Sequence, residues 1–525
     1  MAFTSPFQDV DVPDVSVHEA IFANVGQRAD RPAMIDGLTG KQLSYRELTG
    51  MVDTLAGALA ERGLRKGDVV GLLSPNTPYY AVVFHAVLRA GGVATTINSL
   101  YTADEIAHQL RDSGAGLLFT ISPFLDRAKA AIAAEGVGVS EVIVLDGAEG
   151  HTSLADLLAT GAAPPDVTID PAQDLAVLPY SSGTTGLPKG VMLTHRNLVA
   201  NILQKQAMAP VNEQTRILAV LPFFHIYGMT IIMNCGLAAG SAVVTMPKFD
   251  LADFLRVIAE HRTDRVYIAP PVAVALAKHP MVDEYDLSAI DILFSGAAPL
   301  DEELAGVVRK RLGCRVRQGY GMTEASPLTH AIPHDRDDIS IGTVGLLAPN
   351  MEARLVDPVT GEDLGLGERG ELWLRGPNVM RGYLNNPEAT AQTVDADGWL
   401  HTGDVATVDA DGVYTIVDRV KELIKYKGYQ VPPAELEALL LTHPKIADAA
   451  VIGIIDDGGE EIPKAFIVRQ ADGTDLSADE VIGFVAERVA PHKKVRAVEF
   501  IEAIPKSASG KILRKDLRAR ETATA

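Results

Sequence analysis

A chain of 525 residues exceeds what one hydrophobic core usually serves, so two or more domains are expected. Its formal net charge of −21 argues against a nucleic-acid partner, because phosphates are repelled unless a local basic face intervenes. Two cysteines, Cys235 and Cys314, build no disulfide framework and sit in no metal-ligand spacing. The first residues lack the basic start and apolar core of a secretion signal, and no apolar run approaches the roughly 18 residues of a membrane span. A cytoplasmic globular protein without an integral membrane segment is therefore expected.

Along the chain, Ser44 to Glu47 reads as a capping box, with Leu48, Val52, Leu55 and Leu59 on one face of the helix it opens. A strand over 68–73, a helix over 79–89 and a strand over 93–97 follow. Such alternation builds parallel sheets covered by helices on both faces. Ala176 to Pro179 is apolar enough for a buried strand, and 194–201 can begin a helix. The alternation resumes with strands over 217–221, 242–246 and 265–268 and helices over 229–237 and 251–261.

Between that strand and helix lies the most informative segment, Tyr180 to Gly190. It holds Ser181, Ser182, Gly183, Thr184, Thr185, Gly186 and Lys189. Glycines let the backbone approach a ligand, hydroxyls and amides donate to phosphate oxygens, and one ammonium supplies the opposing charge. Strand, phosphate-gripping loop and helix are expected here. It is not a Walker A loop, because Lys189 is followed by Gly190 rather than Ser or Thr.

Beyond Gly342 the texture turns to short β-rich runs over 352–356, 370–375 and 413–417, separated by Gly and Asp-Gly turns, which predicts a small barrel-like β unit. From about residue 422 a separate α+β domain is expected. Pro432 opens a helix, 451–454 and 465–468 are strands, and Ser477 with Glu480 caps a helix burying Val481, Ile482, Phe484, Val485 and Val489.

Three further segments carry chemistry. In Gln318 to Glu324, Tyr320 offers a flat face for a purine, while Thr323 and Glu324 supply oxygens for phosphate and a divalent cation. Asp404 follows a glycine turn, and its two oxygens suit the two hydroxyls of a ribose. Lys511 lies on a glycine-flexed loop near the end of the chain.

These motifs, in this order, resemble those of the adenylate-forming enzymes: acyl-CoA synthetases, luciferases and peptide-synthetase adenylation domains. Within them the chain looks most like plant-type 4-coumarate:CoA ligases. The resemblance implies an α/β protein whose large N-terminal domain (1–418) combines parallel αβ sheets with the β unit. A hinge (419–421) centred on Lys421 and a small mobile C-terminal domain (422–525) follow. It implies ATP, Mg²⁺ and coenzyme A as cofactors and co-substrates, with Thr184 and Glu324 on the metal. Gln318, Gly319, Tyr320 and Ala297 would face adenine and AMP, and Asp404 with Arg419 the ribose. Lys425, Gln430 and Lys511 would serve adenylation, whereas Lys427 and Gly428 would contact coenzyme A. His225 would sit beside the acyl site, lined by Ile226, Tyr227, Gly296, Gly321, Pro327 and Leu328. The Tyr227 phenol could then hydrogen-bond a polar group on the far end of an aromatic acid.

The expected reaction is ligation of a hydroxycinnamate or other aryl acid to coenzyme A through an acyl-adenylate, by a monomer or homodimer. The alternatives are a medium- or long-chain fatty acid, an acceptor other than coenzyme A, or a non-catalytic nucleotide sensor. Ser326, standing where a glycine is often found, is expected to narrow the acyl pocket. His330 and His334 are expected in a surface loop.

Overall fold

The structure, a computed structural model, describes residues 2–181, 188–426, 429–456, 460–470, 473–507 and 510–524; of residues 429, 430 and 522–524 it describes the main chain. Two sheets form the large lobe. In the first, strands Pro32–Asp36, Ala242–Thr245, Arg216–Ala219, Arg265–Ile268, Ile292–Ser295 and Arg315–Gly321 run parallel in that spatial order. Arg265–Ile268 and Ile292–Ser295 are buried at every position, as strands covered on both faces must be. The second sheet carries the parallel strands Glu141–Val144, Leu117–Thr120, Val69–Leu73, Val93–Thr96 and Leu175–Val177.

The β-rich stretch is joined to the first sheet edge to edge. Arg315–Gly321 pairs parallel on one side and antiparallel with Leu328–Ala331 on the other. The antiparallel path then continues through Gly345–Leu347, Val413–Arg419, Leu400–Val408, Gly370–Arg375 and Glu352–Val356. This joint brings Tyr320 beside Asp404 and Arg419, which are remote in sequence.

The phosphate-loop region differs from its expected strand–loop–helix order. Lys189–Thr194 is itself a strand, with Lys189 opposite Ser181 and Gly190 opposite Tyr180. Helix His195–Met208 begins only after this strand, capped by Thr194 and Asn197. Val191 and Leu193 are fully buried on either side of half-buried Met192, the period of two that favours extension. A β-carbon on Gly190 would stand 3.1 Å from the Tyr180 ring, so a bare residue closes the hairpin here.

Where an α-helix over 229–237 is expected, Tyr227–Asn234 is π-helical and an α-helix, Cys235–Ala239, follows. A β-carbon on Gly228 would lie 2.2 Å from the Pro222 carbonyl oxygen, so this wall can pack against the preceding turn only through glycine. His330 is not on the surface. It lies fully buried in strand Leu328–Ala331, its ring 4.4 Å from that of Tyr414, and burial lowers its imidazole to about 3. His334 is half-buried.

The C-terminal part has its own core, including Leu436, Leu440, Ile446, Val451, Val481 and Val485. Strands Ile446–Ile455, Glu461–Arg469 and Ala497–Phe500 form its sheet. The contacts that seat it on the large lobe include two to helix Pro270–Lys278 and the residue before it. The Lys278 amine donates to the Leu441 and Ile446 carbonyl oxygens at 3.4 and 3.2 Å, capping the end of helix Pro433–Leu441. Gly510 (φ +84°) packs its main chain against Ala269 and Pro271.

Candidate functional site

The flanks of the phosphate-loop hairpin converge on one carboxylate. Glu324 accepts from the Ser181 hydroxyl at 3.0 Å and from the Tyr383 hydroxyl at 2.8 Å, both at Oε1. Its Oε2 has no hydrogen-bond partner among the described residues. The Lys189 amine stands 4.2 Å above the Tyr383 ring, a cation–π contact that ties the hairpin lysine to the same group. Ser182, Gly183, Thr184, Thr185 and Gly186 lie outside the described residues, as do Lys427 and Gly428 and the side chain of Gln430. One carboxylate oxygen left without a partner beside a hydroxyl suits Mg²⁺, which prefers one or two carboxylates completed by water and phosphate over an all-protein cage. No cluster of three or more His, Cys, Asp or Glu ligands occurs among the described residues.

A second cluster surrounds Asp404. Tyr320 donates its hydroxyl to Asp404 Oδ2, and Arg419 Nε lies 3.4 Å from Oδ1. Burial raises the Asp404 carboxyl above the usual carboxylate range, while Arg419 and the Tyr320 hydrogen bond oppose that rise. Burial, then Asp404, push the Tyr320 phenol well above its ordinary value. The carboxylate is therefore fixed between a neutral donor and a cation.

Lys511 enters this region from the small lobe. Its amine has no hydrogen-bond or ion-pair partner among the described residues. Loss of water lowers its basicity, Arg419 lowers it further, and Glu324 and Asp404 act in the opposite sense. Lys511 also helps depress His225, whose imidazole burial brings down to about 3. His225 Nδ1 accepts from the Tyr227 main-chain N–H at 3.2 Å, which orients the ring as a neutral group. One lysine from the far end of the chain thus shares its surroundings with Glu324, Asp404 and His225.

An apolar cavity adjoins it, whose wall includes Ile226, Tyr227, Gly296, Gly321, Pro327 and Leu328 together with Ala297, Gly319, Tyr320 and Thr323. Gly296 is required by Tyr227: an added β-carbon would stand 2.9–3.1 Å from the phenol ring. At Gly321 it would meet the Pro327 carbonyl oxygen at 2.2 Å. The Tyr227 hydroxyl faces the Phe294 carbonyl oxygen at 3.4 Å, so the phenol is directed at main chain. Ser326 does not narrow the cavity. Its φ of +74° is one that glycine adopts freely, and its hydroxyl donates to the Asn378 carbonyl oxygen at 2.8 Å, outside the wall.

Gln318 is engaged by the protein itself. Its amide nitrogen donates to the main-chain oxygens of Leu300, Ile341 and Thr343, and its oxygen accepts from Leu300 N–H at 2.6 Å. Lys425 is exposed and absent from the cavity wall; its N–H donates to Glu461 at 2.8 Å. Lys421 lies in an exposed turn directly after the last strand of the large lobe. Sequence reasoning overlooked Tyr383, Tyr267, Phe294 and Lys205. Tyr383 alone had a signal, standing in a segment, Met380 to Leu384, that resembled the 4-coumarate:CoA ligase branch without suggesting a role.

The chain matches the family model of the AMP-binding enzyme over residues 21–384 and that of the AMP-binding enzyme C-terminal domain over 435–511. It is 44% identical to a 4-coumarate–CoA ligase 5 of Oryza sativa subsp. japonica, over 99% of this chain and 97% of that protein. It is 43% identical to a 4-coumarate-CoA ligase 1 of Narcissus pseudonarcissus, over 99% and 96%. Among solved structures, the anthranilate CoA ligase AuaEII in complex with anthranoyl-AMP superposes with a TM-score of 0.91 at 27% identity, covering 98% of each chain. ATP-bound MatB from Rhodopseudomonas palustris superposes with a TM-score of 0.88 at 30% identity, covering 97% of this chain and 99% of that one.

Proposed function

The chain belongs to the AMP-binding enzyme family through both its large part and its C-terminal domain, and from that premise we propose how its site ligates an aryl carboxylic acid to coenzyme A. It is an ATP-dependent acid–CoA ligase. The acid's carboxylate attacks the α-phosphorus of ATP, the bond to the bridging oxygen breaks, and pyrophosphate leaves. The coenzyme A thiolate then attacks the acyl carbon and expels AMP. A hydroxycinnamate is the favoured acid, since the cavity is walled by glycines and aromatic rings that suit a flat ring.

Within that reaction the hairpin flanks Ser181 and Lys189 hold the departing phosphates. Asp404 and Arg419 hold the ribose, and Tyr320 presents its ring to adenine. Glu324 would hold Mg²⁺ through its free oxygen, and the ion, when bound, neutralises phosphate charge. Lys511 offsets charge at the attacked centre by positioning and electrostatics. We take residues 1–418 as the large domain, 419–421 as the hinge and 422–525 as the small domain. Rotation about Lys421 would then withdraw Lys511 and bring Lys427 and Gly428 to the thiol. The observation that carries this reading is that Lys511, from one lobe, lines the same cavity as His225, Thr323 and Tyr320, from the other, with Asp404 on the Tyr320 hydroxyl. No helix among the described residues is long and apolar enough to cross a membrane.

The test is AMP release with ATP, Mg²⁺ and coenzyme A on a panel of 4-hydroxycinnamic, cinnamic, benzoic and octanoic acids. AMP and a CoA thioester should form in equal amounts, fastest with the hydroxycinnamate. Fastest turnover of octanoate would favour the fatty-acid alternative, and AMP without thioester would favour another acceptor.

The Lys278 contact adds a second expectation. Hydrogen bonds of this kind contribute about 0.5–1.5 kcal/mol each, and these two exist only while the lobes sit as described. Lys278→Ala should slow adenylation by about three- to tenfold, while the reaction of supplied acyl-adenylate with coenzyme A keeps its rate. Single-turnover measurement of each half-reaction checks this; slowing of both alike would assign Lys278 to general stability.

A further inference from the structure

We propose that the acid taken by this cavity carries an oxygen acceptor, a phenol or a second carboxylate, at the end remote from its reacting carboxylate, and that Lys205 binds that group. The inference rests on the acid-ligase reading above and makes it more specific. Lys205 lies in the last turn of helix His195–Met208, is 2% exposed, and belongs to the wall of the same cavity. Its amine has no hydrogen-bond or ion-pair partner among the described residues. An ammonium removed from water without an acceptor is strongly unfavourable, so a cavity built around one favours a ligand that completes it.

A second orphan lies in the same wall. The Tyr267 hydroxyl is buried and has no partner among the described residues, although its ring is well packed against Phe294 and Tyr227. A buried amine and a buried hydroxyl in a largely apolar wall each call for an oxygen acceptor rather than a methyl group. The Tyr227 hydroxyl, by contrast, is already directed at Phe294. The two lysines of the cavity wall also come from different sides of the protein. Lys511 is carried by the C-terminal lobe, whereas Lys205 stands on helix His195–Met208 of the large lobe. An acid whose carboxylate meets Lys511 would therefore point its far end at Lys205. A fatty acid would leave both donors buried without an acceptor.

The experiment compares kcat/KM for 4-hydroxycinnamate, 4-carboxycinnamate, cinnamate and 4-methylcinnamate in the wild-type protein and in Lys205→Met. The wild-type protein should prefer one of the two oxygen-bearing acids over 4-methylcinnamate by about tenfold or more. Which of the two is preferred separates a phenol from a carboxylate. In Lys205→Met that ratio should fall by about tenfold or more, the loss appearing mainly in KM. An unchanged ratio in the variant overturns the proposal. So does a wild-type preference for the methyl-bearing acid, a result that stands even if the variant fails to fold. Turnover of all four acids without discrimination removes this inference and leaves the ligase reading intact, while no AMP release from any acid removes both.

Discussion

Lys511→Ala is expected to slow acyl-adenylate formation by about 10²–10³-fold, the loss typical of one preorganised donor aimed at developing charge. Coenzyme A acylation from supplied acyl-adenylate should change little. The asymmetry follows from where the amine sits. It faces Glu324, Asp404 and Arg419 without pairing with any of them, so it is available to a group arriving between them. It also hangs from the lobe that the proposed rotation carries away. Pyrophosphate exchange and single-turnover thioester formation measure the two halves separately. Equal losses in both would falsify the rotation, and no loss in either would remove Lys511 from the chemistry. Global stability should be nearly unaffected, since no ion pair is broken.

Asp404→Ala is expected to lower kcat/KM for ATP by about 10–100-fold, the scale of hydrogen bonds to a charged group at about 1.5–3 kcal/mol. It should also destabilise the protein by about 1–3 kcal/mol, because the Tyr320 hydroxyl loses its acceptor inside the lobe and Arg419 its counter-ion. Those two effects are separable. If the carboxylate holds a ribose hydroxyl, wild-type protein should discriminate ATP from 2′- or 3′-deoxyATP, and the variant should not. A variant that keeps the discrimination while losing stability would make Asp404 a structural anchor of Tyr320 only.

Much of the scaffold could be read from local chemistry. Helix Leu251–His261 and strand Arg265–Ile268 have the bounds that sequence predicts, because Asp250 caps the first and β-branched and aromatic residues dominate the second. Ser477 and Glu480 form the expected capping box. Lys189–Thr194 was hidden by its content: Lys189, Gly190 and Thr194 leave only Val191 and Leu193 to show the alternation. The expectation that 194–201 begins a helix drew attention past it; Thr194 is the cap of that helix. The π-helical turn at Tyr227–Asn234 was hidden differently. An apolar run shows no face, and the extra residue per turn answers to packing at Gly228 rather than to any local preference.

Glu324, Asp404 and Lys511, which chemistry and spacing single out in the sequence, are brought near one another by the fold, whereas residues whose setting burial alone decides leave no such trace. Lys205 reads as a solvated helix charge, because one chain cannot reveal that its helix is covered on nearly every side. His330 reads as loop for the same reason: strand Leu328–Ala331 is buried at all positions, so polarity no longer marks the outer face. Tyr383 stands 59 residues from the carboxylate it binds, a distance that no local pattern spans.

The seat of Gly510 bears on how the small lobe can come and go. Bare backbone resting on an alanine and two proline carbons is a smooth bearing: at this point of the seat no side chain of residue 510 has to be drawn out when the lobe leaves. An added methyl there would come within 3.1 Å of Ala269 and act as a shim, on a backbone already turned to an angle that only glycine takes easily. The neighbouring lysine would then arrive short of its station, and the reach of the whole lobe would be set by a single missing carbon.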